Sequence, residues 1–177
     1  GTIPSPEWKA KNFKGEIWRI GDTYNTAIGQ YGFQVTPMEM TRAVATIANF
    51  GTLLTPHFIL SDKEAENKTE KIEIKKEYYD VVRDGMRQAV TYGTAVALNV
   101  PFVDVAAKTG TAQIGVAKNR VNSWVMGFFP YENPKYAFTI MMESGPSTGT
   151  VNAASVMRKL IDWMYWHTPE YFTDLSI

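Results

Sequence analysis

Cysteine is absent from the 177 residues, which excludes disulfides, thiolate nucleophiles and zinc sites built on cysteine. Histidine is almost absent. His57 and His167 stand far apart, so a histidine-rich metal site is not expected. Net charge is missing too: 18 Lys+Arg balance 18 Asp+Glu. That balance removes the electrostatic argument for nucleic acid or an acidic membrane surface as a partner. No apolar run approaches the ~20 residues of a membrane span, and there is no internal repeat or low-complexity tract. What is there is 45% hydrophobic and 20% charged, a globular composition. The length suits one domain or a large part of one. Zero cysteine also fits an extracytoplasmic setting.

Residues 1–31 read as irregular, punctuated by Pro4, Pro6, Gly15, Gly21 and Gly29. Trp8, Phe13, Trp18 and Ile20 suggest a loop system pinned by its aromatics against something larger. A clear helix follows over 38–49. Thr36, Pro37 and Glu39 form a capping box with proline at the first turn. Met40, Ala43, Val44, Ile47 and Ala48 make its apolar face, and Gly51 stops it. A strand over 53–60, a charged excursion over 61–71 and a helix over 75–90 come next. The expected inward face of that helix is Tyr78, Val81, Val82, Met86 and Ala89. Three strands are expected over 103–111, 122–129 and 136–143, the last two joined by a proline-bounded turn. Asn152 then caps a final helix with Val156, Leu160, Ile161 and Met164 inward. The predicted fold class is α+β, an antiparallel sheet flanked by helices.

The densest chemistry lies in Lys108-Thr109-Gly110-Thr111-Ala112-Gln113 at a strand end. Thr109 and Thr111 share one face of an extended strand, so both hydroxyls could grip one carboxylate. Lys108 points to the other face unless twist turns it. Gly110 lets a ligand approach the backbone, and a free edge N–H can stabilise an oxyanion. Taken alone, the tripeptide is better explained as a plain surface Lys-Thr-Gly turn. A phosphate-binding loop does not explain it, because the Gly-x-x-x-x-Gly-Lys-Ser/Thr spacing is missing.

Lys108-Thr109-Gly110 matches one of the three short motifs of penicillin-binding proteins and serine β-lactamases, and the resemblance extends well beyond it. Gly21-Asp22-Thr23, Ala27-Ile28-Gly29-Gln30 and Val35-Thr36-Pro37 resemble the approach to a core helix in class B transpeptidases. Ile47-Ala48-Asn49-Phe50-Gly51 with Pro56-His57, and Gly85-Met86 with Gly93-Thr94-Ala95, are similar to further family segments. Ser123-Trp124-Val125-Met126-Gly127-Phe128-Phe129-Pro130 resembles the strand after the motif. The opening Pro4-Ser5-Pro6-Glu7-Trp8-Lys9 resembles the elongation type, penicillin-binding protein 2-like.

The resemblance spans about residues 1–165. It implies a serine β-lactamase/penicillin-binding-protein fold and DD-transpeptidation of peptidoglycan through a serine acyl-enzyme. It also implies that Thr109 and Thr111 hold the carboxylate of a D-Ala-D-Ala stem peptide or β-lactam, and that the Thr111 N–H is an oxyanion donor. Lys108 would supply positive potential and Gly110 an open strand edge. No metal or organic cofactor is implied. The implied partners are the stem peptide, β-lactams and, within the wall-elongation machinery, a glycosyltransferase. The implied location is extracytoplasmic, with a membrane anchor outside this sequence.

Two family motifs are missing. No serine has lysine three places on; Ser155 meets Arg158 there, and a guanidinium cannot act as the base. Ser-x-Asn is missing as well, and Tyr131-Glu132-Asn133, which imitates a variant of it, reads as turn chemistry. Residues 1–177 are therefore expected to be the C-terminal portion of a transpeptidase domain, with the nucleophile upstream and no acylation of their own. Two other readings stay open: a carboxypeptidase or β-lactamase of the same superfamily, and a non-catalytic scaffold of the elongation machinery. His57 and Glu143 read as structural, Lys118 and Arg120 as a solvated loop, and Trp163, Tyr165 and Trp166 as packing against the rest of the domain.

Overall fold

The structure is a computed structural model, and it describes residues 1–59, 69–115, 119–149 and 151–173. Its body is a three-stranded antiparallel sheet in the order β3-β4-β5. These strands are β3 (Ala106–Ile114), β4 (Arg120–Phe129) and β5 (Tyr136–Pro146). Strand alternation sends opposite parities to opposite faces. Val105, Ala107, Val125 and Phe129 join one core with α4 (Lys76–Thr91) and α5 (Ala153–His167). Ala106 and Phe128 join a second core with Val44 and Ala48 of α3 (Pro37–Ala48) and Met86. The sheet is thus sandwiched between helices, the α+β layering expected. Gly127 is required by close approach, since a Cβ there would lie 2.3 Å from the Ala106 carbonyl oxygen.

Helix α3 begins as its sequence dictates. Thr36 accepts from the Glu39 amide, and the Glu39 carboxylate accepts from the Thr36 amide at 2.8 Å. Gly51, at φ 97°, closes the helix end.

Other expectations are corrected. Residues 1–31 are not irregular: α1 (Pro6–Asn12) and α2 (Ile20–Ala27) form there. Their aromatics pack on one another, with Trp8 5.6 Å from Phe13 and 5.9 Å from Tyr31, and Trp18 6.2 Å from Tyr31. Gly32 at φ 71° lets Trp8 lie directly on the backbone. Ile20 stays exposed. The strand expected over 53–60 shrinks to β1 (Thr52–Leu53), because its partner β2 (Glu70–Lys71) offers only two residues and Pro56 lacks an N–H. Most of the excursion, 61–68, lies outside the described residues.

The inward face of α4 is also rotated from expectation. Tyr79, Arg83, Met86 and Val90 are buried, whereas Tyr78, Val81 and Val82 are exposed. The cause is Arg83, 4% exposed, whose guanidinium lies over Phe50, Phe128 and Tyr131 and donates to the carbonyls of Ala48 and Tyr131. A polar residue so satisfied can occupy a core stripe that hydrophobicity alone assigns elsewhere. In α5, Ala153, Ala154, Met157 and Ile161 are buried while Leu160 is 44% exposed. The two alanines let the helix start sit against β4, where the Ala153 amide donates to Ser123 Oγ at 3.0 Å. Among the described residues no helix is long and apolar enough to cross a membrane.

Candidate active-site strand and the relatives it identifies

β3 is an edge strand, paired to β4 from Ala106↔Phe128 to Ile114↔Arg120. The Thr111 carbonyl oxygen accepts from Gln30 Nε2 at 3.1 Å, so it points away from β4. In an extended strand the N–H and C=O of one residue leave on the same side, and the Thr111 N–H therefore also faces the open edge. Lys108 shares the parity of Ala106, and its ammonium curls over the edge to the Thr109 carbonyl at 2.5 Å. Thr109 and Thr111 share the opposite parity. The Thr109 hydroxyl pairs with that of Thr94 at 2.7 Å. All four candidate residues, Lys108, Thr109, Gly110 and Thr111, thus lie together on one open edge.

Two hollows flank this edge. One, of about 190 Å³, is an apolar slot walled by Ile28, Phe33, Val35, Met40, Trp124 and Met126, with Gly110 at its floor. A Cβ on Gly110 would reach Trp124 Cβ at 3.4 Å, so a methyl group would enter this slot rather than close the edge. The other runs between Thr111 and Gln113 on one side and Asn25, Ile28 and Tyr31 of the α2 arm on the other. That arm is held by a charge lock: Lys9, 3% exposed, donates to Asp22 at 2.7 Å. Asp22 holds the Lys9 pKa above its ordinary 10.5, and Lys9, with the Arg19 amide, holds Asp22 below its ordinary 3.8.

Gln30 and Thr94 were not expected at the site, although both stand in family-like segments, Ile28-Gly29-Gln30 and Gly93-Thr94-Ala95. Their side chains reach β3 across 81 and 15 residues, which no local pattern reveals. Glu143 and His57 are exposed. Arg120 is not a solvated loop residue: it opens β4 and donates to the Ser144 carbonyl at 2.7 Å. Lys118 lies outside the described residues. Tyr165 stacks on Phe102 at 4.1 Å, while Trp163 and Trp166 remain exposed.

Comparison with known proteins places these features in a family. The family described as penicillin binding protein transpeptidase domain matches residues 3–162. The peptidoglycan D,D-transpeptidase MrdA of Salmonella typhimurium is 30% identical over 196 residues, covering 93% of this chain and 30% of that protein. The penicillin-binding protein PBP2 from Helicobacter pylori, solved in complex with MreC, superposes with a TM-score of 0.76 at 33% identity, over 94% of this chain and 31% of that one. Pseudomonas aeruginosa PBP2 in complex with WCK 5153 gives 0.74 at 30% identity, over 93% and 38%. The chain spans about 30% of the length of the curated relatives it matches. With the motif strand, its helical cover and these similarities in agreement, the chain belongs to the penicillin-binding protein transpeptidase domain family.

Proposed function

We propose that this chain is the C-terminal portion of a transpeptidase domain and supplies the substrate-binding strand of a peptidoglycan DD-transpeptidase. The observation that carries the reading is the outward edge at Thr111, with the Thr109 and Thr111 hydroxyls on one face and the Lys108 ammonium curled over the rim. An extended peptide adds to such an edge through main-chain hydrogen bonds. The D-Ala-D-Ala carboxylate, or that of a β-lactam, accepts from the two hydroxyls, and Lys108 adds positive potential. A serine from a segment preceding Gly1 attacks the scissile carbonyl. Negative charge developing on that oxygen is met by the Thr111 N–H, a donor of a kind worth about 3–4 kcal/mol of barrier. A neighbouring stem peptide's amine then resolves the acyl-enzyme. The setting is extracytoplasmic, anchored by a segment other than this one. Its partners are components of wall elongation, as MreC is for the Helicobacter pylori relative and as a glycosyltransferase would be.

The test is intact mass of the full-length protein containing residues 1–177, before and after benzylpenicillin. One penicilloyl adduct on the preceding segment is expected, and Thr111→Val slows its formation about 10–100-fold, the loss of a charge-assisted hydrogen bond. No adduct favours a scaffold. Rapid release of penicilloate, without cross-linking of stem peptides, favours a β-lactamase. Unchanged kinetics in Thr111→Val removes that hydroxyl from the site.

A further inference from the structure

We infer that Thr94 is a positioning residue of this site: its hydroxyl donates to the Thr109 hydroxyl and so commits the single Thr109 proton to the ligand carboxylate. The inference rests on the reading of Thr109 given above and adds to it a residue outside the motif strand.

The argument is one of proton supply. A threonine hydroxyl carries one proton and two lone pairs. The Thr94 and Thr109 oxygens lie 2.7 Å apart, and either could be the donor. If Thr109 donated to Thr94, it would have no proton left for an anion. A carboxylate offers only acceptors, so its arrival selects the opposite polarity, with Thr94 donating to Thr109 and Thr109 donating to the carboxylate. Donors linked in series polarise one another. The arrangement therefore favours a charged ligand over a neutral one of the same shape.

Thr94 is placed well for this task because its neighbours are fixed. Gly93 packs so closely on α4 that a Cβ there would lie 2.8 Å from Ala89 Cα. The next residue, Ala95, is completely buried, and its amide donates to the Ala89 carbonyl at 2.9 Å. The helical turn Val96–Leu98 that follows is tied to α5 by Arg158, which donates to the Ala97 carbonyl at 3.1 Å. Between these anchors Thr94 is exposed, with its hydroxyl against that of Thr109. It has no packing duty of its own.

The experiment compares acylation of the full-length protein by benzylpenicillin with acylation by its methyl ester, which keeps the shape and loses the anion. Thr94→Val is expected to lower the acid-to-ester rate ratio about 3–10-fold, the range of one hydrogen bond. Thr94→Ser, which restores the donor, returns the ratio to that of the parent. Thr109→Val serves as the reference and lowers the ratio at least as far. If Thr109→Val lowers the ratio and Thr94→Val does not, this inference alone is overturned. If Thr94→Val slows both ligands equally, its role is structural and the inference falls. If neither variant moves the ratio, the carboxylate assignment of Thr109 fails and the inference fails with it.

Discussion

The sheet-and-helix body and the N-terminal arm of residues 1–34 are ordered by different physics. The body hides fully buried apolar side chains on both faces of its sheet, among them Phe128, Leu98, Ile161 and Val125. In the arm only Pro4 and Lys9 are buried. There Trp8 meets Phe13 and Tyr31 edge to face, Phe13 stacks on Tyr31, and a Lys9–Asp22 pair stands where a core would be. Burial of apolar area is non-directional and forgiving, whereas a charge pair works only while both partners are ionised and in place. The candidate substrate-binding edge lies where the two meet, since one wall of its groove is body and the other is arm.

The comparison can be broken at three points. Phe128→Ala strikes the body and should cost about 3–5 kcal/mol of stability. A thermal melt followed by far-ultraviolet dichroism measures it, and a loss under 1 kcal/mol would mean that the second core is not a cohesive unit. Asp22→Ala strikes the arm and takes the 2.7 Å partner from a buried ammonium, leaving Glu16 at 3.6 Å as its carboxylate. Faster amide exchange across Pro6–Asn12 and Ile20–Ala27, with little change in the strands, is the expected pattern. Uniform acceleration would show instead that arm and body unfold as one.

Acid acts on the same lock. Because Asp22 is depressed below 3.8, its contribution is complete above that value and is lost as pH falls through the lower folded value. Lys9 is raised, so its share persists below 10.5 and is lost only in stronger alkali. Tryptophan fluorescence from Trp8 and Trp18 should therefore hold between about pH 4 and 10 and change outside that window. The smallest expected effect is at the junction. Gln30→Ala frees the Thr111 carbonyl for a ligand amide and should raise the acylation rate of the full-length protein by an acylamino β-lactam less than tenfold. A fall in rate would show that Gln30 holds the edge in its working shape.

This contrast also explains what could be read from the amino-acid order. Elements that bury continuous apolar stripes were legible: α3 with its Thr36–Glu39 box, the three strands to within a few residues, and α5 from its Asn152 cap. Elements held by polar or aromatic pairing were not. Helices α1 and α2 are 7 and 8 residues long, too short to show a period, and α2 starts without a usual cap side chain, its Asp22 carboxylate accepting from the Arg19 amide instead. The face of α4 was misread because Arg83 does a hydrophobe's work. At the site, Lys108 to Thr111 announced themselves as a contiguous motif. Gln30 and Thr94 did not, because only tertiary folding brings them to the strand.

Arg83 has one more consequence, for the order in which the chain can mature. Its guanidinium joins the carbonyl of Ala48, 35 residues before it, to that of Tyr131, 48 residues after it. Synthesis delivers α3 and α4 first, yet their shared cation has its full set of partners only once the β4–β5 turn has been made. Contacts so distant in sequence carry a large loop-closure cost and slow folding. A ribosome stalled before residue 131 therefore holds α3 and α4 around a guanidinium that can reach the Ala48 carbonyl but still lacks that of Tyr131.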